Sequence, residues 1–107
     1  MKPGTVVIAD IPGVVHSKKR PAVVVSSDFY HSDRPDLILA VVSSRIEKAT
    51  SETDHVLDDW KKAGPLRPSF VRMFVYSVVA TSVIRIGELS TADWEAVQAC
   101  LRQSVEV

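Results

Sequence analysis

Three basic residues in a row, Lys18-Lys19-Arg20, stand directly before Pro21 and an apolar run, and two more, Arg45 and Lys48, follow a second apolar run that ends in Ser43-Ser44. Residues of this type, grouped in this way, are suited to holding anions. A guanidinium keeps its charge at any physiological pH, and its planar fork can take two phosphate oxygens at once. A serine hydroxyl beside it adds a hydrogen-bonding group without adding charge. By themselves these residues are equally suited to a solvated strand mouth and to a strand-end turn. His16 lies in the basic loop and His55 beyond the second cluster, each compatible with solvent as well as with proton transfer. No Cys-x-x-Cys, His-Glu-x-x-His, P-loop or glycine-rich dinucleotide turn occurs, so neither a metal nor another cofactor is expected.

The whole-chain charge constrains how such a patch can work. The 107 residues carry thirteen basic and thirteen acidic side chains, for a net charge of zero at pH 7, and 46% of them are hydrophobic. Disorder and a general nucleic-acid field are both excluded by that balance, and any polyanion site must be a local basic patch. The single cysteine, Cys100, cannot form an intrachain disulfide, and Met1-Lys2-Pro3-Gly4 has no apolar stretch of signal-peptide type, so a cytoplasmic location is expected. The longest apolar run, residues 37–42, is far short of the roughly 20 residues that span a bilayer, and no membrane association is expected. Without repeats or a Gly/Ser/Pro linker, residues 1–107 are expected to form one domain around one core.

The elements that must position these residues are short. The β-branched run 5–10 predicts a strand closed by the turn signal Pro12-Gly13, and Pro21 is placed to open a second strand over 21–26, the two forming a hairpin with a long basic loop. Residues 29–35 read as loop. Residues 36–43 are apolar on both faces, which suits a central strand, and 44–53 are polar loop. A short strand is predicted at 55–57, and a turn or two of helix over 58–64, with an acidic start, a basic end and a glycine stop. Residues 69–81 predict a long strand buried on much of both faces, and 83–86 a short one stopped by Gly87. The terminal helix has a full start signal: Ser90 as N-cap, Asp93 to close a capping box, and Leu89 to staple onto Trp94, with Trp94, Val97 and Leu101 on its inner face. Strands followed by a packed helix give an α+β, mainly β architecture, a small barrel or sandwich.

Three segments in order carry a family resemblance: Gly4-Thr5-Val6-Val7, then Lys19-Arg20-Pro21-Ala22-Val23-Val24-Val25-Ser26, then Ala40-Val41-Val42-Ser43-Ser44. Further on come Asp54-His55-Val56, Ala63-Gly64-Pro65-Leu66-Arg67-Pro68-Ser69 and Ile86-Gly87-Glu88-Leu89-Ser90-Thr91-Ala92-Asp93. In order and spacing they resemble MazF/PemK-type toxins over almost the whole chain. The resemblance implies an SH3-like (CcdB/MazF-type) barrel with a C-terminal helix packed on it. It also implies a homodimer, and a metal-independent, sequence-selective endoribonuclease that cuts single-stranded RNA by 2′-hydroxyl attack and is inhibited by a cognate antitoxin with an acidic, partly disordered tail.

The same resemblance assigns roles. Arg20 would stabilise charge on the phosphorane, and Ser43 stands where the family commonly has a threonine that touches the scissile phosphate. Lys18, Lys19, Arg45, Lys48 and Arg72 would bind RNA phosphates; His16, Ser44 and His55 are accessory candidates. Arg72 matches a basic position that the Kid branch pairs with an aspartate two residues later, where this chain has Phe74. Two rivals keep the barrel and drop the chemistry. CcdB-type toxins poison DNA gyrase by contact, using a C-terminal Trp-Gly-x pattern that Ser104-Val105-Glu106-Val107 lacks; the other rival is a non-catalytic SH3-like binding module.

Overall fold

The computed structural model describes residues 1–11 and 18–106. Strand β1 (Thr5–Asp10) and strand β2 (Lys19–Val24) form the expected hairpin, with Val6 opposite Val23 and Asp10 opposite Lys19. β2 starts earlier than Pro21 suggested, and Pro21 is its third residue. Proline is tolerated there because pairing with the next strand begins only at Ala22, so the first three residues of β2 have a partner on one side alone. Residues 29–35 are not all loop: a one-turn helix α1 (Asp28–His31) is capped by Ser27, whose hydroxyl accepts from the Tyr30 amide at 3.1 Å.

Strand β3 (Asp36–Ser43) is central, between β2 and the long strand β5 (Phe70–Val79). A 3-10 turn (Ile46–Lys48) follows β3, then the two-residue strand β4 (His55–Val56) and helix α2 (Trp60–Ala63). Gly64 ends α2 in the left-handed region at φ 111°, where the carbonyl of Ile86 would lie 2.8 Å from any Cβ. Strand β6 (Ile84–Glu88) runs through Gly87 rather than stopping there. That glycine instead lets α2 approach, since a Cβ would fall 2.3 Å from the Ala63 carbonyl oxygen.

All pairings among the described residues are antiparallel, in the order β4-β5-β3-β2-β1-β6. The curled sheet buries both faces, one against helix α3 (Thr91–Ser104) through Val6, Val23, Ala40, Val42, Val71 and Val97, the other around Val7, Val24, Leu37, Leu39 and Tyr76. The expected α+β, mainly β, SH3-like architecture with its packed C-terminal helix is what the chain forms. β5 is less buried than expected: Phe74 and Val75 at its middle and Val79 at its end are exposed. Among the described residues no helix is long and apolar enough to cross a membrane.

The start of α3 differs from the expected capping box. Ser90 accepts from the Asp93 amide at 3.2 Å, but the Asp93 carboxylate does not turn back to the cap. It accepts from the amides of Asp58 and Asp59, both at 3.0 Å, and lies 2.8 Å from His55 Nε2. The inner face of α3 is accordingly Asp93, Val97 and Cys100, with Trp94 and Leu101 half-buried to either side. Leu89 and Trp94 pack on the same core, as the staple requires.

Candidate functional site

Alternation along paired strands decides which side chains meet. Residues opposite one another in a ladder share a face, and so do residues two apart on one strand. Val41 lies opposite both Ala22 and Arg72. Arg20, two residues before Ala22, and Ser43, two after Val41, therefore project to the side of the sheet that carries Arg72. A groove of about 580 Å³ opens there, lined by Arg20, Ser43 and Arg72 and joined by Lys18, Arg45 and Lys48. The loop ahead of β4 closes it with Thr50, Ser51, Thr53 and Asp54.

Its electrostatics are one-sided. Among the described residues, five basic side chains, Lys18, Arg20, Arg45, Lys48 and Arg72, face a single carboxylate, Asp54, in a chain that is neutral overall. This is the local basic patch that overall neutrality required, and its natural occupant is a polyanion. The Ser43 hydroxyl accepts from the Arg45 amide at 3.2 Å, which holds its oxygen in a turn and leaves its proton for a ligand. The same bond places Arg45 at the mouth of the groove.

Lys19 is not part of this lining. As the odd residue between Lys18 and Arg20 it points to the other side of the strand, where its ammonium lies 3.8 Å from Asp10. Ser44 likewise turns away from Ser43 and lines a second, smaller cavity that it shares with Arg20. His16 lies outside the described residues, as does the stretch 14–17 of the basic loop. His55 is tied to Asp93 rather than directed to the groove. Phe74 packs edge-on against Tyr76 with ring centroids 6.0 Å apart and does not line the groove, so Arg72 has no acidic partner in the next turn of the strand. Met73 and Phe74 stand unopposed in the ladder, because β3 passes from Val41 opposite Arg72 to Ala40 opposite Val75. That bulge bends β5 at the groove and turns Met73 into its wall.

Thr50, Ser51 and Thr53 were not singled out because a polar loop has no periodicity to place them, and Asp54, though part of the Asp54-His55-Val56 landmark, was given no role. The signal that could have found Asp54 was its position beside His55. Several contacts hold that segment: β4 leaves it to pair with β5, His55 anchors β4 to Asp93, and Cys100 Sγ lies 3.8 Å from the Glu52 carbonyl oxygen. Burial alone would push the Asp93 carboxyl up, but hydrogen bonds from His55 and the amides of Asp59 and Asp58, with the charge of His55, more than offset this and hold it below the usual carboxylate range. His55, Asp58 and Asp93 place their ligand atoms within 4.8 Å of one another, the spacing of a metal site. Both Asp93 oxygens already have donors, and a metal would have to break those bonds, so the trio fits a structural joint.

A family model described as PemK-like, MazF-like toxin of type II toxin-antitoxin system matches residues 2–105. No curated protein sequence matches the chain significantly. Among solved structures, a mycobacterial endoribonuclease in complex with its cognate antitoxin superposes with TM-score 0.79 at 14% identity, covering 97% of this chain and 93% of the other. The MazE-MazF complex of Deinococcus radiodurans gives 0.75 at 16%, with 97% and 94% covered. The Mycobacterium tuberculosis toxin MazF-mt6 gives 0.75 at 16%, with 94% of each chain covered.

Proposed function

The chain belongs to the family of PemK-like, MazF-like toxins of type II toxin-antitoxin systems, and we propose that it is a cytoplasmic, sequence-selective endoribonuclease that cuts single-stranded RNA without a metal. The observation that carries this reading is the convergence of Arg20, Ser43 and Arg72 on one groove whose basic side chains outnumber its acidic ones five to one. A divalent cation seeks several oxygen ligands, commonly carboxylates, and a groove with one carboxylate among five cations would repel it. The same charges suit a phosphate chain directly.

The reaction needs the 2′-hydroxyl oxygen to attack the neighbouring phosphorus while the bond to the departing 5′-oxygen breaks, leaving a 2′,3′-cyclic phosphate and a 5′-hydroxyl. One proton must leave the nucleophile and one must reach the leaving oxygen. Arg20 supplies the fork that meets charge growing on the non-bridging oxygens, and Arg72 stands across the groove as a second cation. The Ser43 proton, free because its oxygen accepts from Arg45, donates to the phosphate. Asp54, the one carboxylate among the described lining residues, is the proton acceptor this arrangement offers, and the leaving oxygen takes its proton from solvent water in the open groove. Lys18, Arg45 and Lys48 hold the flanking phosphates.

The protein acts as a homodimer and is inhibited by a cognate antitoxin that competes for this groove. The exposed apolar side chains Phe74, Val75, Val79 and Ile84, in β5 and at the start of β6, support pairing. The test of the enzymatic reading is incubation of purified protein with defined single-stranded RNA in EDTA. Cleavage to cyclic or 3′-phosphate and 5′-hydroxyl ends is expected; a strict magnesium requirement, or 5′-phosphate ends, would refute it.

A further inference from the structure

Among the described residues β4 is the shortest strand, and it is the one that delivers Asp54 to the groove. It stands at the edge of the sheet and pairs through two residues, His55 opposite Val71 and Val56 opposite Phe70. Alternation sorts these side chains between the two faces. Val71 belongs to the core beneath α3, so His55 projects toward that helix. Phe70 lines the groove, so Val56 and the residue two before it, Asp54, project toward the groove.

The helix side grips this segment at both ends. The fully buried Asp93 carboxylate accepts from His55 Nε2 at 2.8 Å and from the amides of Asp58 and Asp59, both at 3.0 Å, so one side chain of α3 holds the chain before and after β4. An ionised carboxylate can only accept, so the Nε2 of His55 carries the proton. On the groove side, the Asp54 amide donates to the Ser51 carbonyl at 3.0 Å and Asp54 Oδ2 accepts from the Ser51 amide at 3.1 Å. Among the described residues Oδ1 has no donor, and that oxygen is the one open to a ligand.

We propose that His55, held by Asp93, is a positioning residue for Asp54: its bond to Asp93 fixes β4 against α3 and so sets the open oxygen of Asp54 where it takes the proton of the attacking 2′-hydroxyl. The proposal rests on the reading of Asp54 as the proton acceptor. The bonds of Ser51 with Asp54 and with Thr53 lie within the loop, and they fix its shape rather than its place. Its place comes from the next residue in the chain. Proton transfer needs its two heavy atoms within about 3 Å, and a displacement of about 1 Å can cost about a hundredfold in rate.

The test is a double-mutant cycle read in steady-state kinetics on one defined RNA. Asp54→Asn should lower kcat about a hundredfold. His55→Ala should lower kcat about tenfold and change KM less than about threefold, because a reacting group is misplaced while the phosphate contacts remain. In the Asp54→Asn background the same change should cost less than about twofold, since no carboxylate is left to place. His55→Gln should stay within about threefold of wild type, because its amide nitrogen reaches the place of Nε2 and carries a proton. A histidine that only supported the fold would cost the same factor in both backgrounds. Urea midpoints confirm folding, and where His55→Ala does not fold, His55→Asn, whose shorter amide stops short of Asp93, takes its place in the cycle. Equal losses in both backgrounds, a change confined to KM, or a His55→Gln variant as slow as His55→Ala overturns the positioning role alone. Wild-type kcat in Asp54→Asn removes the proton acceptor and the proposal with it, and a wild-type protein that cleaves no RNA removes the nuclease reading as well.

Discussion

Arg20 and Lys19 are neighbours in the chain with opposite placements, one in the groove and the other ion-paired with Asp10 on the far side of the strand. Their mutational effects should diverge accordingly. Arg20→Ala is expected to lower cleavage by at least about a hundredfold, the scale of losing one preorganised donor to a developing oxyanion, with folding unchanged. Lys19→Ala, which removes an exposed pair, should change activity less than about threefold, because exposed pairs contribute about 1 kcal/mol or less. Single-turnover rates on one RNA check both, and full activity in Arg20→Ala would displace the site. Ser43→Ala should cost about tenfold or more, while Ser43→Thr should keep or raise the rate because the added methyl restricts χ1. Asp54→Asn should lower kcat with KM little changed if the carboxylate takes the proton; equal kcat would free it of that role. The grouping, as distinct from the roles, was legible in the residues: Arg20, Ser43 and Arg72 were singled out and line one groove. The separation of Lys19 from Lys18 was implicit in strand alternation, but applying it required knowing that β2 begins before Pro21.

Asp93 joins the terminal helix to the β4–α2 segment, and this tie was not readable from the sequence. The Ser-x-x-Asp spacing predicted a local capping box, whereas the carboxylate reaches His55, Asp58 and Asp59, more than thirty residues away. Local capping patterns carry no information about a donor that arrives from another element. Long β-branched strands were legible for the converse reason, since their signal is contained in the run itself; the one-turn α1 helix was too short to show any period. Asp93→Ala should destabilise the chain by about 3 kcal/mol, because it leaves buried donors without an acceptor. The pH dependence follows from the direction of the shift. Its pKa is lower in the folded than in the unfolded chain, so its contribution is fully present above the unfolded range of about 4 and is lost as pH falls through the folded value. Urea midpoints at pH 7 and pH 3 should therefore converge more in Asp93→Asn than in wild type. A wild-type midpoint independent of pH over that interval would show that the tie is not an ionic one.

At the scale of the whole molecule, charge neutrality and a concentrated basic groove act together. Five of the thirteen basic side chains line one groove, so the rest of the surface is left with an acidic excess that discourages nonspecific nucleic-acid binding. Any protein that inhibits the enzyme by occupying the groove must resemble its substrate in charge. An antitoxin segment that is extended, acidic and partly apolar meets that requirement: its carboxylates would take the positions of phosphates at Lys18, Arg20 and Arg72, while its apolar side chains would meet Val41, Phe70 and Met73 in the groove wall. A disordered tail suits this task because it is ordered only on binding, and it can wrap a surface that no small rigid ligand would cover. The expected outcome is mutual exclusion. In a competition titration, an uncleavable RNA should be displaced by the antitoxin tail, both affinities should fall as salt rises, and Arg20→Ala should weaken both ligands. The salt response separates charge competition from simple steric blocking, since a purely apolar contact would be indifferent to ionic strength. Simultaneous binding of the two ligands, with neither affinity altered by the other, would rule out a shared groove.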